Sequence, residues 1–369
     1  MWLMTEDRLE SMAVGAGILG TGGGGNPYRG RLVARRHLRE GRPITIAVPE
    51  EVPDDARVVS VGGMGAPVIG IERIIRGDEA LCALRALEAL MGAAFDYVIP
   101  GEIGGGNSTI PMVVSALSGL PVIDADGMGR AFPELQMSTF AVYGGACTPA
   151  ALCDYKHNTV LFPNSADART LERQARAVTV AMGGAASFAL SPMSGAEMRA
   201  RSVLGTLSFA EQIGAAVRGA RLLHDDPIAA GARTAGGALL FRGKVVDVER
   251  RLVAGFARGN LRLEGVAEWR GDTLQIDFQN ENLVARDGAG RLVATVPDLI
   301  CVLDDTNGEP ITTEIVRYGL RVSVLGIPAP HLLTTPQGLA VFGPRAFGYD
   351  ADYLPLPAQY AAETVRRQA

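Results

Sequence analysis

The chain has 369 residues, of which 47% are apolar and 20% charged, with a net charge of −5. That length exceeds what one hydrophobic core usually supports, so two domains are expected, and the composition excludes a disordered chain. The acidic balance argues against a nucleic-acid partner, and no apolar run is long enough to cross a membrane.

The N-terminal MWLMTEDRLESM has acids where a signal peptide would carry base, so a cytoplasmic protein is expected. Cys82, Cys147, Cys153 and Cys301 then read as reduced thiols. Residues 6–19 place Leu9, Met12, Ala13, Ala16 and Leu19 at helical spacing and stop at Gly20. GTGGGGNPY follows, with Gly22, Gly23, Gly24 and Gly25 in a row before Asn26. Such a run is expected where amides approach something closely. A nucleotide loop, a nest for an oxyanion or carboxylate, and a plain structural turn are all open readings. The absence of a Walker lysine and the helix before the glycines count against a nucleotide.

A basic helix over 28–40 carries Arg29, Arg31, Arg35, Arg36 and Arg39, which look like a solvated face. Strands are predicted over 44–48 and 57–61, the second running into a glycine turn, GGMGAP, at 62–67. A helix over 80–91 and a strand over 95–100 follow. This alternation argues for a largely parallel sheet with right-handed crossovers.

Residues 100–137 form the most informative stretch. The strand delivers Glu102 into glycines that include Gly104 and Gly105, then Asn107 and a helical pattern. A second strand, 121–123, delivers Asp124 and Asp126 into another glycine turn, followed by Arg130 and Glu134. Ligands bind at the carboxyl ends of strands in open α/β sheets. The same residues are also ordinary turn and capping residues.

Beyond it, strands are predicted over 139–143, 151–162 and 185–190. A helix over 166–182 is capped by Asn164 and Ser165, and a long helix covers 194–222. From residue 236 short alternating segments indicate a small barrel or sandwich. The expected organisation is an α/β domain over 1–235, a β-barrel-like domain over 236–347, and a segment over 348–369 that returns to the first domain.

Four scattered histidines show no metal-binding spacing, and no GxSxG elbow is present. Cys147 with His157 could pair as nucleophile and base, although small apolar neighbours make an inert buried thiol the default. Neighbouring carboxylates could divide into base and acid. Asp124, Asp126 and Glu134 could equally hold a divalent ion.

GTGGGGNPY, PGEIGGGNS, DADGMGRAFPELQM, YGLRVSVLGIPAP and VFGPRAFGYD resemble the S-methyl thiohydantoin desulfurase family over nearly the whole chain. The resemblance implies an α/β three-layer (αβα) domain with a mostly parallel sheet plus a smaller β-barrel. It also implies hydrolytic loss of sulfur from C2 of a five-membered thiohydantoin ring, giving a hydantoin. On that reading Asp124 or Asp126 is the base and Glu134 the acid. Glycine-loop amides, Asn107 and Arg130 stabilise the intermediate, and Cys147 remains a candidate. Gly22, Gly23, Gly24, Gly25, Asn26, Glu102, Gly104, Gly105 and Asn107 would bind the cyclic amide or thiohydantoin, and a divalent metal would replace some of these roles. The alternative is a non-catalytic ligand-binding partner or regulatory subunit of a hydantoinase or oxoprolinase. The composition favours a homo-oligomer.

Overall fold

The structure, a computed structural model, describes residues 1–66, 69–72, 76–253 and 255–356. Helix α1 (Glu6–Leu19) is capped by the Thr5 hydroxyl and carries Glu6 and Asp7 in its first turn, where the helix dipole favours acids. Every residue from Ser11 to Leu19 is buried. The helix runs through the main core, between strands of the α/β sheet, the helix Thr206–Leu222 and the inner end of the β half. Two glycines permit the helix crossing. A Cβ on Gly15 would lie 1.8 Å from the Ala210 carbonyl oxygen, and one on Gly214 1.8 Å from that of Ser11. Helix α2 (Pro27–Arg39) begins at Asn26, whose side chain accepts the Tyr28 amide. Arg36 and Arg39 are exposed as expected, whereas Arg31 and Arg35 are partly covered where they pair with Glu10; with Arg39 on Glu6 these pairs fasten α2 to α1.

The first sheet uses β1 (Trp2–Leu3), β2 (Thr45–Ala47), β3 (Arg57–Gly65), β4 (Tyr97–Pro100) and β5 (Val122–Ile123). After the short β6 (Ala125–Asp126), it adds β7 (Ala150–Cys153), β8 (Thr159–Phe162) and β9 (Ala185–Ser194). The order is β1-β2-β5-β4-β3-β9-β7-β8. Strands β2, β5, β4 and β3 are parallel, and the rest pair antiparallel, so the sheet is mixed. Helices flank it in an αβα-like arrangement.

Several local expectations change. Residues Gly62–Gly65 continue β3 instead of turning; a Cβ on Gly62 would meet the Phe188 ring at 2.6 Å, so glycine makes room for that side chain. Residues 151–162 form a hairpin, not one strand. The run at 139–143 is a short helix, Thr139–Val142, because Ser138 caps it and the Thr139 amide and hydroxyl both turn back to the Gly127 carbonyl. The helix after Asn164 and Ser165 is capped by Asp167 instead. The long helix over 194–222 is two helices, Gly195–Arg201 and Thr206–Leu222, separated by β10 (Val203–Leu204), which pairs with β6.

The second sheet is antiparallel and curled into a half-barrel. It contains β11 (Ala238–Val253), β12 (Phe256–Gly265), β13 (Thr273–Gln279), β14 (Glu281–Asp287), β15 (Leu292–Thr295), β16 (Leu299–Asp304) and β17 (Arg321–Ile327). The order is β15-β14-β13-β12-β11-β17-β16, and curling brings β14 to β16, where Asn282 Nδ2 donates to the Ile300 carbonyl at 2.9 Å. Phe241, Trp269, Ile276 and Val324 fill its interior. Its other residues Leu299, Cys301 and Ile327 join the α1 core, and Leu283 and Val284 join Met128, Phe132 and Phe342, so the halves share apolar cores. Near the C-terminus Tyr349 packs on that last cluster and Leu356 on the half-barrel interior; residues 357–369 of the C-terminal segment lie outside the described residues, as does residue 67 of GGMGAP. Among the described residues no helix is long and apolar enough to cross a membrane.

Candidate active site between the sheets

Two glycine loops lock into each other by main chain alone. The Gly106 amide donates to the Gly25 carbonyl at 2.9 Å and the Asn107 amide to that of Gly24 at 3.3 Å. Gly24 has φ +69 and a Cβ there would stand 2.3 Å from the Gly104 oxygen; one on Gly105, at φ +56, would stand 2.2 Å from the Gly25 oxygen. Side chains are therefore excluded from both loops. These amides hold carbonyls, so they are not the free oxyanion donors expected.

The joined loops form one wall of a cavity of about 430 Å³. Val33, Met64, Ile110, Val113 and Phe188 make it largely apolar, and Asn280, Glu281 and Glu314 close it from the β half. Glu102 lies in its wall, 6% exposed. Asn107 Nδ2 and the Phe132 amide donate to its two oxygens. Asn107 is in turn fixed to the Gly63 backbone, accepting its amide at 2.8 Å and donating to its carbonyl at 3.2 Å. Burial pushes the Glu102 carboxyl up to about 8, against the pull of those hydrogen bonds.

Of the expected site residues, Gly24, Gly25, Asn26, Glu102, Asn107 and Glu134 line the cavity. Glu134 accepts from the Gln136 side-chain amide. Gly22, Gly23, Gly104 and Gly105 stand behind it as packing positions, Gly22 against Thr313 and Gly23 beneath Glu281.

The expected base is a different matter. Asp124 caps the helix Thr206–Leu222, accepting the Leu207 amide at 2.8 Å and the Ser208 amide at 3.0 Å. Asp126 is fully buried, and its Oδ2 accepts the amides of Ile103, Met128 and Gly129 at 2.8, 2.9 and 2.8 Å. Burial raises its carboxyl to about 7 despite those amides. Neither residue lines the cavity; both hold backbone, as carboxylates at strand exits often do.

Arg130 is fully buried and also serves the backbone. It donates to the carbonyls of Ala131, Pro297, Asp298 and Asn282 and to Thr21 Oγ1, at 2.8 to 3.1 Å, strapping the two halves together. Cys147 lies outside the cavity among Met64, Ala150 and Leu171, and burial raises its thiol, the opposite of an activated nucleophile. His157 sits in a left-handed turn and bonds Asp78 at 2.9 Å. Among the described residues no three His, Cys, Asp or Glu side chains are grouped to hold a metal ion.

Glu281 and Glu314 were not singled out by sequence. Both are buried, line the cavity and have carboxyls raised chiefly by burial. The available signal was the polar run QNEN, residues 279–282, interrupting an otherwise alternating strand pattern.

Family models described as S-Me-THD-like, N-terminal domain, and S-Me-THD-like, C-terminal domain, match residues 7–164 and 166–356. The chain is also similar to a protein from Chromobacterium violaceum whose X-ray crystal structure was solved by the Northeast Structural Genomics Consortium. Identity is 26%, the TM-score is 0.78, and the match covers 96% of this chain and 100% of that one. No curated protein matches.

Proposed function

The chain belongs to the S-Me-THD-like family, and from that premise we propose that it hydrolyses an S-methyl thiohydantoin or a closely related ring, releasing a thiol from C2. The observation that carries this reading is the buried Glu102 carboxyl in the wall of the apolar cavity. A cavity of about 430 Å³ falls in the range of roughly 300–1,000 Å³ usual for small-molecule sites, with room for a five-membered ring, its S-methyl group and a substituent. A carboxyl that titrates near neutrality can take a proton from attacking water and return it at the pH of a cell. Asn107, clamped to Gly63, is the positioning residue that aims Glu102.

The test is a liberated-thiol assay on S-methyl thiohydantoins, thiohydantoins and plain hydantoins, run with and without chelator. Thiol release by the wild-type chain, reduced about 100-fold or more in Glu102→Gln, is expected. Binding without turnover, together with co-purification with a hydantoinase, would replace this reading with that of a non-catalytic partner.

A further inference from the structure

We propose that Asn280 is a second functional residue of the cavity: its side-chain amide donates to the ring carbonyl oxygen at C4 and stabilises the charge that reaches that oxygen when C2 is attacked. The proposal deepens the hydrolase reading above and rests on it for its chemistry, but recognition of the C4 carbonyl is testable without turnover.

Asn280 is the one residue between β13 and β14, 4% exposed and lining the cavity. Its φ is +58, in the left-handed region that asparagine enters more readily than most side chains. Three of its four polar groups are held by neighbours. The main-chain amide donates to the Ala257 carbonyl at 2.7 Å, the Thr313 hydroxyl donates to the main-chain carbonyl, and the side-chain Oδ1 accepts the Ala257 amide at 2.9 Å. That last bond settles which end of the side-chain amide is oxygen. The fourth group, Nδ2, makes no hydrogen bond among the described residues and is not one of the fully buried orphaned atoms, which leaves it open to the cavity.

Buried donors are nearly always paired, so an anchored donor without a partner on a cavity wall marks a place for an acceptor of the ligand. Residues held in uncommon backbone conformations also collect at such sites. Other donors in the lining are already engaged: Asn107 Nδ2 with Glu102 and Gly63, the Thr109 hydroxyl with the Gly106 carbonyl, and Arg176 Nε and Nη2 with Glu172 and the Pro133 carbonyl. As a neutral amide, Asn280 donates whatever the protonation of Glu281 and Glu314, which share its wall.

An S-methyl thiohydantoin has one carbonyl, at C4. In the ring form with a C2=N3 bond, that carbonyl is conjugated with the bond under attack. Ionised Glu102 takes a proton from water as the water oxygen bonds to C2, and the π pair of C2=N3 moves to N3 and through C4 onto the carbonyl oxygen, where Nδ2 of Asn280 meets it. N3 then takes the proton back from Glu102. Glu102 next accepts the proton of the new hydroxyl as C2=O forms and the C2–S bond breaks, and passes it to the departing sulfur. Of the two water hydrogens one ends on N3 and one on the thiol, and Glu102 is ionised again.

The experiment is isothermal titration calorimetry of hydantoin and of imidazolidin-2-one, which keeps the carbonyl at C2 and lacks the one at C4, on wild type and Asn280→Gly. Glycine suits the φ of +58. Wild type should bind hydantoin about tenfold more tightly than imidazolidin-2-one, and the variant should bind the two alike. With an S-methyl thiohydantoin as substrate, kcat of the variant should fall about 100-fold while KM moves less. Absent or equal binding of the two rings by wild type, a preference that survives the substitution, or an unchanged kcat overturns the proposal. Should Asn280→Gly fail to fold, Asn280→Asp takes its place. It keeps an oxygen for the Ala257 amide, and once ionised it has no proton to donate, so the preference must shrink as pH rises; a wild-type preference throughout is equally fatal. A carbonyl preference that depends on Asn280, with no thiol released from any ring, would sink the hydrolase reading and leave the C4 carbonyl site standing.

Discussion

Glu102→Gln should remove a large fall in stability with rising pH, and so reverse which of the two proteins is the more stable between acid and mild alkali. The carboxyl shifts from 4.5 in the unfolded chain to about 8 in the fold because burial disfavours its charge. A group raised in this way contributes stability that is fully present below the unfolded value and is lost as pH climbs through the folded one; over that window the loss is roughly 4–5 kcal/mol. Glutamine removes this ionisation. It also offers only one acceptor oxygen where Asn107 Nδ2 and the Phe132 amide both donate, a mismatch of about 1–3 kcal/mol at every pH. The variant should therefore be the less stable protein in acid and the more stable one in mild alkali. Urea unfolding of both proteins at a series of pH values reads the crossing directly. Parallel stability curves, or a deficit that widens as pH rises, would show that Glu102 is not a desolvated acid and would remove the basis for its assigned role.

Asp126→Ala strands the three amides that meet at Oδ2 and should cost about 3–5 kcal/mol in thermal or chemical unfolding; Asp126→Asn keeps an acceptor for them and should retain most stability and turnover. Gly24→Ala brings a Cβ to 2.3 Å from the Gly104 oxygen at a φ of +69; a loss of about 2 kcal/mol or more, with a matching fall in thiol release, is expected. Arg130→Met leaves five buried acceptors without their donor and should destabilise by about 3–5 kcal/mol, read by differential scanning calorimetry. Cys147→Ser, outside the cavity, should leave turnover unchanged, and a large loss would return the thiol to the mechanism.

Helix α1 was legible to the residue because its apolar spacing and Gly20 stop agree, and the structure adds a Thr5 cap at its start. The alternation of strand and helix likewise exposed the first sheet, and the turn-separated strands the second. What the sequence could not separate was a carboxylate that serves the backbone from one that serves a ligand. Asp124 and Glu102 stand alike at strand exits; the difference is that Asp124 caps helix amides 83 and 84 residues further on, while Glu102 faces an apolar cavity. The split of the helix over 194–222 was hidden for the same reason, since its break is made by distant pairing with β6. Glu281 was out of reach because the glycine loop it packs on, around Gly23, lies near the other end of the chain.

The interlocked loops have a consequence for redesign. Their contour is drawn by main chain packed on main chain, so it offers no side chain to trim or enlarge, and any graft there must replace both segments at once. Selectivity among ring substituents has to be tuned at the side chains that complete the lining, such as Val33, Leu135 and Ile315.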